Sequence, residues 1–393
     1  MDLNKALYVL SVFSDTINGK DTFHQRRVAF IAYKIAENLD FKRYGLNLVL
    51  QSGLIHDIGL LSEASKLETY RQIIEEDFKQ LNKHAVIGSK LARFFNLHLD
   101  VSNAVGLHHT PQDKNTSALG SLLFLADNIE AVYRSISNPF AFDEIYNFIA
   151  QKEHLFNKEM FKVFRELAQT ESFWYALNKQ NIDRELVKIV DEHKAEADDE
   201  FLKRVAYFVA YVSDHITPFF ENYSVFIKNI AVAIGYKMSL NKEDLELSAL
   251  FSHSGYIFIP TNLLNSSEKL NESDFNIIKA HPYYTKLLLD ALEISDNIKY
   301  PAIYHHEKKS KDGYPFKVTV VDEYTEVLRI STFLAALLQD RPYRVSYEYE
   351  EAKNILNSEE FDKKILDIAL ELELENVVKT QDEYYDGIGR LFL

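Results

Sequence analysis

The chain has 393 residues, 47% hydrophobic and 26% charged, a balance that suits folded globular structure rather than disorder. A net charge of −15 sets its surface against polymeric nucleic acid, and the lack of cysteine removes disulfides, zinc–thiolate sites, iron–sulfur clusters and thiol nucleophiles. With only 12 Gly and 8 Pro, the chain is poor in turn residues and suits long helices in an all-α fold.

Leu3, Leu7, Leu10, Phe13 and Ile17 recur at three- and four-residue steps, which predicts an amphipathic first helix. The apolar stretch at residues 6–13 is far shorter than the roughly 20 residues a membrane span requires. Asp2 and the missing small-residue cleavage pattern argue against a signal peptide, so the expected location is cytoplasmic, without a membrane partner. Val28, Ile31, Ala32, Ile35 and Leu39 mark a second helical face, and Leu46, Val49, Leu50 and Leu54 a third. Residues 118–134, 143–150 and 158–177 read the same way. The polar stretch 183–199 predicts a solvated helix leading to a domain boundary near residue 200.

The chain then repeats itself. Residues 53–59 (GLIHDIG) have a counterpart at 249–255 (ALFSHSG), His84 at His281, and His108–His109 at His305–His306. Asp127 corresponds to Thr332, at a larger offset because the second copy carries a longer loop after its histidine pair. Two helical domains, 1–197 and 198–393, account for the length.

In the first copy His24, His56, Asp57, His84, His108, His109 and Asp127 form a candidate ligand set. Imidazoles and carboxylates suit a divalent ion such as iron, manganese or zinc. Five imidazoles and two carboxylates are too many for one ion, but they suit two neighbouring ions if Asp57 bridges them. Two metals about 4 Å apart can clamp a phosphate ester and deprotonate a bridging water, giving an acidic protein a local cationic site. Adjacent helical side chains diverge by roughly 100°, so His56–Asp57 and His108–His109 belong at helix ends. Gly59 and Thr110–Pro111 supply such ends. His98, His154, His193 and His215 read as surface or satisfied core histidines, and the segment 127–130 on its own as a solvated helix face.

At these residues the sequence resembles the HD superfamily of metal-dependent phosphohydrolases, and within it the HD-GYP branch. The resemblance implies that His24, His56, Asp57 and Asp127 hold one metal. Asp57 bridges to a second, held by His84, His108 and His109. It also implies an iron or manganese centre that hydrolyses cyclic di-GMP or a related cyclic dinucleotide. The second copy keeps landmarks of the branch: Ile259–Pro260, His281–Pro282, His305–His306–Glu307, Asp312–Gly313–Tyr314–Pro315 and Asp340 to Arg344. There, however, Ser252–His253 replaces the His–Asp doublet, Thr332 replaces the final Asp, and no first histidine falls between Phe219 and Tyr223. Three ligands, His281, His305 and His306, remain, and the second copy is expected to be catalytically dead.

The first copy also departs from the branch. Leu60 stands where a phosphate-contacting Lys is usual, Thr110–Pro111–Gln112–Asp113 where Gly-Tyr-Pro is usual, and Lys20 in the slot of a third-metal Glu. Lys20, Arg27 and Arg134 are the candidate phosphate contacts. Asp57, Arg27 and Lys20 are therefore the expected catalytic residues, and the expected substrate is a cyclic dinucleotide or another small phosphoester cleaved through a metal-bridging hydroxide. Two alternatives stand beside this reading: a metal-containing nucleotide-binding sensor module, and a less specific nucleotide phosphohydrolase. A homodimer is compatible with any of them.

Overall fold

The computed structural model describes residues 1–17, 20–39, 41–63, 83–318, 322–373, 377 and 380–393, with the side chains of 17, 20 and 63 outside that description. The fold is all-α. Among the described residues the strands are two of two residues each, Thr16–Ile17 and Lys20–Asp21. The described chain divides into two compact units, residues 1–17, 21–201 and 391–393 in the first and 202–390 in the second. No described helix is long and apolar enough to cross a membrane.

The first unit begins with α1 (Leu3–Asp15), whose N-terminal amides at Asn4 and Lys5 donate to the Asp2 side chain. The helix stops at Asp15, and Ile17 lies in a strand instead of extending the apolar face. The reason is local: Asp15 turns its carboxylate to accept from the Gln25 amide at 2.9 Å, tying the end of α1 to the start of α2 (His24–Glu37). Next come α3 (Arg43–Ile55), a 3-10 turn (Ile58–Glu63), α4 (Lys83–Phe94), α5 (Leu99–Leu107) and α6 (Ala118–Ser135). Four helices complete the unit: α7 (Phe142–Ala150), α8 (Lys158–Leu167), α9 (Glu171–Ala176) and α10 (Ile182–Glu192). The single helix expected over 158–177 is thus two. The expected solvated helix over 183–199 ends at Glu192 and is amphipathic, burying Ile182, Leu186, Ile189 and Val190.

The second unit runs α11 (Phe201–Asp214), α12 (Tyr223–Lys237), α13 (Lys242–Phe251), a 3-10 turn (Ser254–Phe258), α14 (Glu272–Ile278), α15 (His281–Asp290), α16 (Asp296–Tyr304), α17 (Glu323–Leu337), α18 (Tyr349–Asn357), α19 (Lys363–Glu371) and α20 (Glu383–Leu391). Its packing repeats that of the first unit. In the first unit α2 packs on α3 and α6, α5 on α6, and α4 on the 3-10 turn; in the second α12 packs on α13 and α17, α16 on α17, and α15 on its own turn. Details recur too. Phe23 and Asn222, each just before the matching helix, take left-handed φ of 57° and 61°. Asp214 accepts from the Ser224 amide as Asp15 does from Gln25. Tyr223 therefore starts α12 at the position where His24 starts α2.

One steric demand is shared. A Cβ on Gly59 would lie 2.1 Å from the carbonyl oxygen of His84, and one on Gly255 2.0 Å from that of His281. Glycine is required here by close approach of the 3-10 turn to the following helix, and the contact sets where His84 and His281 point. Gly59→Ala must push α4 away from the turn, an overpacking strain of about 1–3 kcal/mol. Thermal denaturation of the variant should show that loss; an unchanged melting temperature would contradict the packing account.

Candidate metal centre

Five helices and their ends carry the seven expected side chains. His24 opens α2; His56 and Asp57 follow the last residue of α3; His84 lies in the first turn of α4; His108 and His109 follow α5; and Asp127 sits mid-α6. His56 and His108 are fully buried, and Asp57, His24 and His84 nearly so. Asp127 is 13% exposed at its side chain and His109 30%, so the centre opens to solvent on that side.

Backbone and carboxylate acceptors fix the imidazole tautomers. His56 Nδ1 donates to the Gly53 carbonyl at 2.9 Å, and His108 Nδ1 to that of Val105 at 2.6 Å. His24 Nδ1 donates to Glu130 Oε2 at 2.6 Å. Each of these rings is left with an Nε2 lone pair facing inward. The lone pairs converge: His24 Nε2 and His56 Nε2 lie 3.2 Å apart, and His84 Nε2 lies 3.1 Å from that of His108 and 3.0 Å from that of His109. Asp57 lies between the two sets. Its Oδ2 is 3.1 Å from His24 Nε2, while Oδ1 is 3.2 Å from His84 Nε2 and 3.3 Å from His108 Nε2. Asp127 closes the ring, with Oδ1 at 3.4 Å from His24 Nε2 and Oδ2 at 3.6 Å from His109 Nδ1. Two clusters of ligand atoms result, His24–His56–Asp57 and Asp57–His84–His108–His109, sharing the one carboxylate.

The charges follow from this packing. Burial holds His56 down to about 3, and burial followed by the neighbouring imidazoles pushes His109 lower still. Burial also opposes charge at His24, yet Glu130 and Asp57 outweigh it and raise that imidazole to about 10. Against burial, His56 and His84 foremost keep Asp57 ionised, well below the ordinary carboxylate range. Burial raises Asp127. The anionic groups thus stabilise a cation at this spot, a proton on His24 or a metal in its place. Ligands on one ion with bonds of about 2.0–2.1 Å stand about 3.0–3.4 Å apart, the spacing seen here. The residues present fit a divalent metal.

Glu130 escaped the sequence reading, which singled out Asp127 alone in the segment 127–130. It is fully buried, three residues along α6 from Asp127 and therefore on the same side of the helix. That i, i+3 pairing of carboxylates was the available signal. Arg27 is buried, with Nη1 3.2 Å from Glu130 Oε1 and Nε donating to the Leu177 carbonyl at 2.8 Å, so its guanidinium braces Glu130. Arg134 also pairs with Glu130, at 3.3 Å. The side chain of Lys20 lies outside the described residues. Of the remaining histidines, His193 is buried 2.8 Å from the Tyr33 hydroxyl, His98 caps α5, His215 bonds the Tyr211 carbonyl and His154 is exposed.

The second unit departs from expectation in one respect. Beside His281, His305 and His306 it places a fourth imidazole, His253, at the position of Asp57. Tyr223, Ser252 and Thr332 stand where His24, His56 and Asp127 stand, and Ala335 keeps the α17 register of Glu130 in α6.

Models of the HD domain match residues 23–132 and 208–367, which together take in more than half of the chain. The chain belongs to the HD superfamily. This tandem HD protein is 23% identical to the 3'3'-cGAMP-specific phosphodiesterase 1 of Vibrio cholerae serotype O1, over 98% of this chain and 93% of that one. It is 26% identical to the cyclic di-GMP phosphodiesterase response regulator RpfG of Xanthomonas campestris pv. campestris, over 44% of this chain and 48% of the relative. Its fold is that of a crystal structure of a cyclic GMP-AMP specific phosphodiesterase of V. cholerae, V-cGAP3, with a TM-score of 0.66 and 15% identity across 97% of this chain and 99% of that one.

Because Glu130 orients His24 and raises its basicity, Glu130→Gln should weaken metal binding about 10- to 100-fold while leaving the helices intact. Competition against a chromophoric chelator measures this; an unchanged affinity would remove Glu130 from the centre.

Proposed function

We propose that the tandem HD protein is a metal-dependent phosphodiesterase that opens a cyclic dinucleotide, of the 3'3'-cGAMP or cyclic di-GMP kind, at a two-metal centre in the first of two domains, 1–197. The second, 198–393, is degenerate and does not hydrolyse it. The observation that carries this is Asp57, whose two carboxylate oxygens face different histidine sets about 3 Å away. The nature of the substrate is supported by the similarity to cyclic-dinucleotide phosphodiesterases along the whole chain.

His24, His56, Asp57 and Asp127 would hold one ion, and Asp57, His84, His108 and His109 the other; iron or manganese suits this mixed oxygen and nitrogen set. Bound there, the pair supplies Lewis-acid polarisation of the phosphoryl oxygens and lowers the pKa of water at the site. The chain contributes position and charge. Buried His56 and His108 close the floor, and the backbone carbonyls of Gly53 and Val105 lock their rings. Glu130 and Arg27 hold His24 in place. His109 and Asp127 form the accessible rim, so the phosphodiester approaches over them. Hydrolysis forms one P–O bond to the water oxygen and breaks one ester P–O bond, whose oxygen leaves with a proton, giving a linear dinucleotide.

Asp57→Asn removes the shared anion while keeping the shape. Turnover of 3'3'-cGAMP and cyclic di-GMP by the metal-loaded full chain should fall at least a thousandfold, followed as linear product by chromatography. Loss of mononucleotide hydrolysis alone, with no cyclic dinucleotide cleaved by the wild type, would shift the substrate to a simpler phosphoester. Tight binding without any turnover would favour the sensor alternative.

A further inference from the structure

The second unit lacks every carboxylate of the first centre and has gained an imidazole. His253, His281, His305 and His306 each bring one ring nitrogen to within 4.8 Å of the others. Their hydrogen bonds fix where the lone pairs point. His281 Nδ1 lies 2.9 Å from the Ile278 carbonyl and His305 Nδ1 2.9 Å from that of Ala302. A carbonyl only accepts, so both Nδ1 atoms carry hydrogen and both Nε2 atoms present lone pairs. The Ser252 hydroxyl donates to the Ala249 carbonyl, so it can only accept from His253 Nδ1, 2.8 Å away, and His253 Nε2 is likewise a free acceptor. His306 Nε2 is a buried atom without a hydrogen-bond partner.

His281 Nε2 and His305 Nε2 stand 3.3 Å apart. Two lone pairs facing each other at that distance in a buried site repel unless a cation lies between them. In the first unit a proton on His24 can serve, because three carboxylates surround it. The matching positions here are His253, Thr332 and Ala335, and they stabilise no imidazolium. A separation of 3.3 Å is what two imidazoles on one tetrahedral ion with bonds of about 2.0–2.1 Å would show.

We propose that the second unit holds a single divalent transition-metal ion on His253, His281, His305 and His306, a mononuclear all-imidazole site distinct in chemistry from the carboxylate-bridged centre of the first. With Tyr223, Ser252 and Thr332 at the remaining positions there is no ligand set for a second ion, and no bridging anion. Four neutral ligands leave the ion its full double charge. It faces a cavity of about 900 Å³ that His305 and His306 line together with Lys279, Lys308 and Lys317. Asp312, Glu359 and Glu360 also line it, and Tyr314 stacks on His306 with ring centroids 4.5 Å apart. Such an ion attracts a phosphate oxygen as an outside ligand without supplying the paired metals that hydrolysis uses.

This site does not rest on the proposed activity of the first unit, and the test separates the two. In the full-length chain, Asp57→Ala with His84→Ala disables the first centre. After reconstitution with cobalt(II), that variant should keep one cobalt per chain, with visible bands of a nitrogen-rich site that shift on adding inorganic phosphate. Adding His253→Gln and His305→Gln should remove that cobalt while the helical circular dichroism persists. Absence of cobalt in the first variant, or cobalt that survives the glutamine substitutions, would overturn the site. Unshifted bands would overturn its role as an anion receptor. If the glutamine variant fails to fold, anomalous diffraction from cobalt-soaked wild-type crystals decides: density among the four imidazoles supports the site, and none there overturns it.

Discussion

Everything in the first unit is arranged around lone pairs that have nowhere to go. His24, His56 and His108 each have one ring nitrogen occupied by a fixed acceptor, so the other must face inward; His24 Nε2 then lies 3.2 Å from His56 Nε2, and Asp57 lies 3.1 Å from His24 Nε2 and 3.3 Å from His108 Nε2. Buried acceptors at that range are a liability that only a cation relieves. The features that enforce the arrangement are structural ones: Gly59 lets the turn touch α4, helix ends present adjacent ligands in pairs, and Glu130, braced by Arg27, sets the orientation of His24.

The two units show how the same scaffold carries different electrostatics. Helix register, left-handed residues before α2 and α12, aspartate caps and close-packed glycines all recur. The ligand positions do not. In the first unit three carboxylates stand among the histidines; in the second, imidazole, hydroxyl and methyl groups replace them. The scaffold therefore specifies where these side chains sit, and a few substitutions change the charge and donor atoms they present.

Much of this was legible in the sequence. The helices follow from three- and four-residue apolar spacing, and the convergence of the seven side chains from a His–Asp doublet and a His–His pair set among helices. What could not be read has physical reasons. Ile17 continued the apolar pattern of α1, but a carboxylate contact of Asp15 with α2 ended the helix first. Arg27 looked like a free cation because its partner Glu130 is 103 residues away. Glu130 itself looked solvent-facing, since a single helix does not reveal that both its carboxylates point inward. The fourth imidazole of the second unit, His253, hid in plain alignment: it replaces an aspartate, and that exchange gives no local sign that its ring joins three other histidines.

The central claim is that the converging lone pairs of the first unit are the cage of a divalent metal centre. Elemental analysis of the full chain, purified without chelator and compared with the Asp57→Ala variant, tests it most directly. The account predicts that the variant loses two divalent ions per chain relative to the wild type. Equal metal content in the two folded proteins, or none in either after reconstitution with iron, manganese or zinc, would contradict it.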